Sequence, residues 1–258
     1  MKQDIEKLVS YYQTEHNEFN RVTCDRTNRL EEITTLRYLN MFIPKGSSVL
    51  DACAGYGIYA FTLAKSGYNV TAGDIVTHHV SAIRDIQREN PILYEIYQGS
   101  MSDLSRFDNN SFDAVLNFGA YYHITDKVER DKTISESKRV LRPGGLIFLA
   151  YLNKYSNFVK FYDAWTREIF DLYLERGYTD DDSLFYATTP EDVENDLKDF
   201  GFEIVKNVAT DGVKYVFRDS LNALPEDLYQ KFLKRHFEMC ERRTLLGYSE
   251  HALLIGRK

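Results

Sequence analysis

The run Val49-Leu50-Asp51-Ala52-Cys53-Ala54-Gly55-Tyr56-Gly57 constrains this chain more than any other segment. It reads as a short buried strand that ends in an acid and breaks into a turn of small residues. The turn opens a helix from Ile58 to about Lys65. Small residues let a ligand approach the backbone, and the first N–H groups of a helix have no partner within it. A second strand, Tyr68-Asn69-Val70-Thr71-Ala72-Gly73, ends in another acid, Asp74. A glycine-containing turn, followed by an acid at the tip of the next strand, is the arrangement that holds a nucleoside by its ribose hydroxyls.

Strand and helix signals alternate from there on. Strands are expected at 48–52, 69–73, 93–97, 113–118 and 145–151, and helices at 57–66, 77–89 and 127–141, with a weak turn near 102–106. Each gap is long enough for a crossover, so the sheet should be parallel with helices on both faces. Pro143-Gly144-Gly145 reads as a tight turn feeding an apolar strand. Two helices come first. Ile5, Leu8, Val9, Tyr12, His16 and Phe19 recur at helical spacing over 3–20, and a second helix runs over 28–41 until Pro44-Lys45-Gly46 stops it. Past the strand at 145–151 the pattern changes to an aromatic helix and an acidic loop over 154–188. It resumes at Thr189-Pro190-Glu191, a helix start with proline in the first turn, which leads past Gly201 into a strand at 202–205. Pro225 opens a last helix to about Arg243, and Ala252-Leu253-Leu254-Ile255 is a closing strand.

Charge and cysteine content exclude several classes. The 258 residues carry 32 basic and 39 acidic side chains, a formal charge of −7, with no basic stripe, so no nucleic acid is expected as partner. Cys24, Cys53 and Cys240 are too scattered for a disulfide framework or a zinc site. The charged start Met1-Lys2-Gln3-Asp4-Ile5-Glu6 is no signal peptide, and no apolar run approaches the roughly 18–20 residues of a membrane span. A cytoplasmic protein, without a membrane partner, is the expectation.

Five segments in register then resemble one family. They are Val-Leu-Asp-Ala-Cys-Ala-Gly-Tyr-Gly (49–57), Val-Thr-Ala-Gly-Asp (70–74), Gln-Gly-Ser-Met-Ser-Asp-Leu (98–104), Ser-Phe-Asp-Ala-Val-Leu (111–116) and Arg-Val-Leu-Arg-Pro-Gly-Gly (139–145). Over roughly residues 30–152, the chain resembles the class I S-adenosylmethionine-dependent methyltransferases. Asn28-Arg29-Leu30-Glu31 and Gly119-Ala120-Tyr121-Tyr122-His123 narrow the resemblance to a subgroup acting on small molecules, whose usual pattern at the second place is Gly-Pro-Leu-Tyr-His-Leu. Two positions depart from the family. Cys53 stands where the first loop glycine is usual, and Ser100 where an Asp is common.

The resemblance implies an α/β, Rossmann-like, doubly wound, mostly parallel sheet of seven strands, the last antiparallel, with N-terminal helices and an inserted helical cap. The expected division is an N-terminal lid over 1–44, a cofactor-binding core over 45–152, a cap over 153–188 and completion of the sheet over 189–258. It also implies S-adenosyl-L-methionine as cofactor. Asp51 would accept hydrogen bonds at the methionine end, and Ala52, Cys53, Ala54 and Gly55 would line the cofactor through the backbone, with Gly57 serving helix packing. Asp74 would hold both ribose hydroxyls, with Ile75 beside it; its plainer reading is a cap on the following helix. Met101 would cover the adenine between Ser100 and Ser102, or simply fill core. Asn117, Phe118 and Gly119 end the fourth strand at the ligand edge. His123 is the first choice for a general base or an acceptor-orienting group, with Tyr122 as pocket wall; both also read as packed on the sheet. Arg29 would reach the cofactor carboxylate, or else pair with Glu31 or Glu32.

Tyr11, Tyr12 and Phe19 are expected in the lid. Phe158, Phe161, Tyr162, Trp165, Phe170 and Tyr173 read mostly as core by their spacing, the remainder as an aromatic substrate pocket, with an interface between two copies of the chain also left open. Asp180-Asp181-Asp182 reads as a solvated loop, because three adjacent acids do not converge on one ion, and no metal is expected. The expected reaction is methyl transfer to a small-molecule acceptor by in-line displacement. The rivals are a non-catalytic module binding the same cofactor and a nicotinamide-dependent oxidoreductase, whose Gly-x-Gly-x-x-Gly is broken here by Ala60.

Overall fold

A strand apolar on both faces must be covered on both. The first one, β1 (Ser48–Asp51), is buried along Val49-Leu50-Asp51 and lies inside a sheet. The computed structural model describes residues 10–11, 25–160, 166–167 and 184–258. The other strands are β2 (Asn69–Asp74), β3 (Glu95–Gln98), β4 (Phe112–Asn117), β5 (Leu141–Asn153), β6 (Ala187–Thr188), β7 (Glu203–Ala209) and β8 (His251–Arg257). The sheet order is β3-β2-β1-β4-β5-β8-β7, with the two residues of β6 paired to the tip of β5. β1 to β5 run parallel, and β8 is antiparallel to both its neighbours.

Alternate side chains enter two separate cores, as the period of two along a strand requires. Val49, Val70, Ala114, Leu116, Phe148 and Ile255 face α1 (Arg29–Phe42), α2 (Ile58–Lys65) and α3 (Thr77–Glu89). Leu50, Val115, Ile147, Leu149 and Leu254 face α4 (Ala120–His123), α5 (Lys127–Val140) and α6 (Pro190–Asp199). A third, smaller core joins Leu30 of α1 to Tyr229 and Leu233 of α7 (Glu226–Met239).

The expected α/β class and mostly parallel sheet are present, with three differences. β6 makes an eighth strand inside the segment read as cap, because Leu152 and Asn153 extend β5 far enough to pair with 187–188. Pro143-Gly144-Gly145 is not a turn before β5 but a bulge within it, and the register slips between Phe112 and Ala114 of β4; Gly144, at φ +79°, supplies the left-handed conformation. The last helix stops at Met239, and a separate turn of helix covers Arg243–Leu246. Most of the helix expected over 3–20 lies outside the described residues. So do Tyr12, Phe19, Cys24, Phe161, Tyr162, Trp165, Phe170, Tyr173 and Asp180 to Asp182, and the side chain of Phe158.

Candidate functional site

The chain leaves β1 toward β2 and β3 on one side and later builds β4 and β5 on the other. The carboxyl ends of β1 and β4 are therefore the point where strand order reverses, and open α/β sheets bind ligands there. The cleft at this edge encloses about 1570 Å³, counting its solvent-open mouth. Of the sequence-predicted residues, Ala52, Cys53, Ala54, Gly55, Asp74, Ile75, Ser100, Met101, Ser102, Phe118, Gly119, Tyr122 and His123 line it.

The turn after β1 is held open by backbone geometry and by the acid of β2. Gly55 sits at φ +53° and Gly57 at φ +82°, both left-handed. The Gly55 N–H donates to Asp74 Oδ2 at 2.8 Å, and the Val76 N–H donates to Asp74 Oδ1 at 2.8 Å. Asp74 thus closes a tight turn ahead of α3, whose N-cap position is Val76 and receives no side-chain cap bond, and it still faces the cleft; each carboxylate oxygen keeps a further lone pair for a hydroxyl. His79 Nδ1 lies 3.2 Å from Asp74 Oδ1.

Cys53 is compatible with the turn because the left-handed positions are 55 and 57, not 53. Its thiol packs on Met101, Sγ to Sδ 3.7 Å, and a Cβ added to Gly119 would come within 3.3 Å of the Cys53 Cβ. Burial, and next the charge of Asp74, push the Cys53 thiol up, so it is a neutral wall rather than a nucleophile. Ser100 Oγ and Ser102 Oγ lie 2.9 Å apart on the same wall.

Asp51 lies beneath the turn. It is 1% exposed, and neither carboxylate oxygen has a hydrogen-bond partner among the described residues. Burial first, then the charge of Asp74, pushes its carboxyl up to about 7; the N–H groups of Cys53 and Ala60 offset part of this. Asn117 is fully buried, accepting from the Tyr121 N–H (3.1 Å) and donating to Thr133 Oγ1 (3.2 Å), so it anchors the start of α4 instead of lining the cleft.

The structure does not bring Arg29 to the cleft. Its side chain is 54% exposed, with Nε 3.8 Å from Glu32 Oε2. Leu30, Glu31, Thr34, Thr35, Tyr38 and Leu39 are the buried face of α1. Arg29 lies two residues from Glu31, about 200° around the helix. Glu31 and Thr35 line the cleft in its place.

His123 and Tyr122 form the wall on the other side. The His123 Nδ1–H donates to the Leu184 carbonyl at 3.1 Å, leaving Nε2 as the basic nitrogen. Its ring packs on Phe185, which in turn meets Tyr11 edge-on. The Tyr186 N–H donates to the Tyr122 carbonyl, and the Arg130 guanidinium lies over the Tyr186 ring at 3.6 Å. Residues 184–186 are thereby pinned against α4.

Sequence reasoning missed the far end of the cleft, where Glu31, Thr35, Thr210 and His251 line it. An antiparallel strand begins where its parallel neighbours end, so the first residue of β8, His251, stands at the ligand edge opposite Leu152 of β5. Its Nδ1 is 2.8 Å from Asp211 Oδ2 and 3.6 Å from both Glu31 Oε2 and Glu250 Oε2. Asp211 also binds Lys214 Nζ (2.7 Å) and accepts from Ser249 Oγ (2.6 Å), and Lys160 reaches Glu250 (2.7 Å). Burial alone would raise Asp211; the charges of Lys214 and His251 reverse this and hold its carboxyl below the usual range. Burial likewise opposes a charge on His251, yet Glu31, Glu250 and Asp211 raise it above its ordinary value. The acid–histidine pair Glu250-His251 just before an apolar run was the available signal.

Comparison with known proteins follows the same residues. Residues 50–149 match the family described as methyltransferase domain. A glycine/sarcosine N-methyltransferase of Aphanothece halophytica is 26% identical over 162 residues, 60% of this chain and 55% of its own length. A ubiquinone biosynthesis O-methyltransferase of Xanthomonas oryzae is 32% identical over 109 residues, 42% of this chain and 44% of its own. The chain spans about half the length of these curated relatives. Among solved structures, a 1,6-didemethyltoxoflavin-N1-methyltransferase of Burkholderia thailandensis superposes with a TM-score of 0.60 at 15% identity, covering 98% of this chain and 86% of that one.

Proposed function

We propose that the chain, whose residues 50–149 match the methyltransferase-domain family, is an S-adenosylmethionine-dependent methyltransferase that methylates a small-molecule acceptor in the cleft at the carboxyl edge of its sheet. The observation that carries this reading is the joined tip of β1 and β2, where Asp74 takes the Gly55 N–H and faces the cleft. The residues fit the cofactor. The small turn residues 52–55 leave its backbone approachable, and a Cβ added at Gly55 would meet nothing within 4 Å. Asp74 would hold the ribose hydroxyls, Met101 with Ser100 and Ser102 the adenine, and the unpartnered carboxylate of Asp51 would face the methionine end through the turn. Bound S-adenosylmethionine supplies a methyl carbon made electrophilic by positive sulfur.

The protein's own part is to bring an acceptor into line. Holding two reactants in line is worth roughly 7–11 kcal/mol of barrier. Tyr122 and His123 would orient the acceptor from one side, with segment 153–188 as cap and the N-terminal helices as lid. No Lys or Arg is among the described residues that line the cleft, whereas Glu31, Asp126 and Glu129 are. That lining, like the formal charge of −7, favours neutral or cationic acceptors over nucleic acid. Both curated relatives are named for small acceptors, one methylated on nitrogen and one on oxygen. Isothermal titration with S-adenosylmethionine and S-adenosylhomocysteine tests the reading. Micromolar binding weakened at least tenfold by Asp74→Ala is expected; absence of heat with either compound would overturn it.

A further inference from the structure

His251 has the surroundings of a base. Its Nδ1–H is donated to a carboxylate, Asp211, which is itself fully buried and fixed by Lys214 and Ser249. The ring lines the cleft and keeps 15% of its surface exposed, and Nε2 has no hydrogen-bond partner among the described residues. His123 differs in one respect: its Nδ1–H goes to a neutral backbone carbonyl. A carboxylate on Nδ1 fixes the tautomer that leaves Nε2 basic and stabilises the imidazolium that forms. Position adds to this. Glu31 and Thr210 neighbour His251, Thr35 lines the same cleft, and β8 stands three strands from β1 in the sheet, away from the turn after β1.

We propose that His251, oriented by Asp211, is the acceptor-side base of this cleft, and that its Nε2 takes the proton of a neutral or cationic O–H or N–H acceptor. The inference rests on the methyltransferase reading. In the step, the acceptor's X–H bond breaks, its electron pair stays on the acceptor atom, and the proton goes to the Nε2 lone pair; no oxidant or reductant enters. The resulting imidazolium is flanked by Asp211, Glu31 and Glu250, whose charge Lys214 and Lys160 balance in part. The Lys214 ammonium, 2.7 Å from Asp211 Oδ2, gives that carboxylate a cationic partner of its own.

The test uses the full chain with labelled histidine, six residues in all, the His251 signal being identified by its loss in His251→Gln. Nitrogen-15 shifts should show the Nδ1–H tautomer at high pH and a midpoint above the ordinary 6.5. Diethyl pyrocarbonate should modify Nε2, read by mass spectrometry. Glu31→Gln, which leaves the Asp211 pair intact, should lower the midpoint. An Nε2–H tautomer, or an Nε2 inert to the reagent while His123 reacts, would overturn the proposal. S-adenosylhomocysteine binding separates this from the parent reading: His251→Gln should keep its affinity within about twofold, and a loss as large as that of Asp74→Ala would make His251 a cofactor residue instead. With phenols and primary amines as probe acceptors, His251→Gln should lower kcat at least 100-fold with KM little changed. An unchanged kcat and pH profile would refute the role.

Discussion

At the scale of single residues, Asp51 and Asp74 are two carboxylates at the ends of adjacent strands with opposite surroundings. Asp74 is paired with two backbone N–H groups; Asp51 is buried without a hydrogen-bond partner among the described residues. A carboxyl raised from 3.8 to about 7 holds its proton in the folded state after the unfolded chain has lost it. Its contribution to stability is therefore full below pH 3.8 and is lost as pH rises to about 7, a change of order 4 kcal/mol at about 1.4 kcal/mol per pH unit. Asp51→Asn should flatten that slope and raise the melting temperature above pH 7, while weakening S-adenosylmethionine binding; thermal scans at pH 5 and 8 and titration check the two arms. His251 adds a slope of the same sign, its raised midpoint giving stability that is complete below 6.5 and fades as pH climbs through the folded value.

The same scale explains what was legible. The turn 51–57 and Asp74 were readable because small residues and an acid at fixed places leave few alternatives. Arg29 was misplaced because a tripeptide match carries no helical phase; the burial period of Leu30, Thr34 and Tyr38 does, and it selects Glu31. His251 was missed because its partner Asp211 lies 40 residues away in sequence and meets it only through β7–β8 pairing; the local run Glu250-His251 marks the place but not the partner.

At the scale of elements, strands and helices were read to within a few residues wherever apolar alternation or a cap marked them. β6 was invisible, since two residues carry no period. Two substitutions test how elements are held. Gly73 of β2 stands beside Tyr97 of β3, and a Cβ there would fall 2.1 Å from the ring. Tyr97 is 2% exposed and has nowhere to turn, so Gly73→Ala should cost about 1–3 kcal/mol and lower the urea midpoint accordingly. Thr189 caps α6, its Oγ1 accepting from the Asp192 N–H at 3.2 Å. Thr189→Ala should cost about 1 kcal/mol and leave S-adenosylhomocysteine affinity unchanged, because α6 does not line the cleft.

At the scale of the whole molecule, the two halves of the cleft have different foundations. The turn after β1 rests on neighbours in sequence. The far end rests on a buried ion-pair cluster linking α1, the segment after β7 and the start of β8. Lys214→Met would strand Asp211, fully buried, without its ammonium. The expected cost is about 3–5 kcal/mol, read as a large drop in melting temperature and not rescued by S-adenosylhomocysteine.

The docking of α1 also carries a consequence for how the chain is made. Thr34 meets His236 and Tyr38 meets Glu241, partners 202 and 203 positions downstream. At roughly 5–20 residues per second, the ribosome needs roughly 10–40 s to deliver them. For that interval the nascent α1 lacks the partners that α7 and the residues just after it supply. Leu30, whose folded neighbours include Leu221 and Tyr229, is then uncovered, and it is at this stage of synthesis that a chaperone would find the chain.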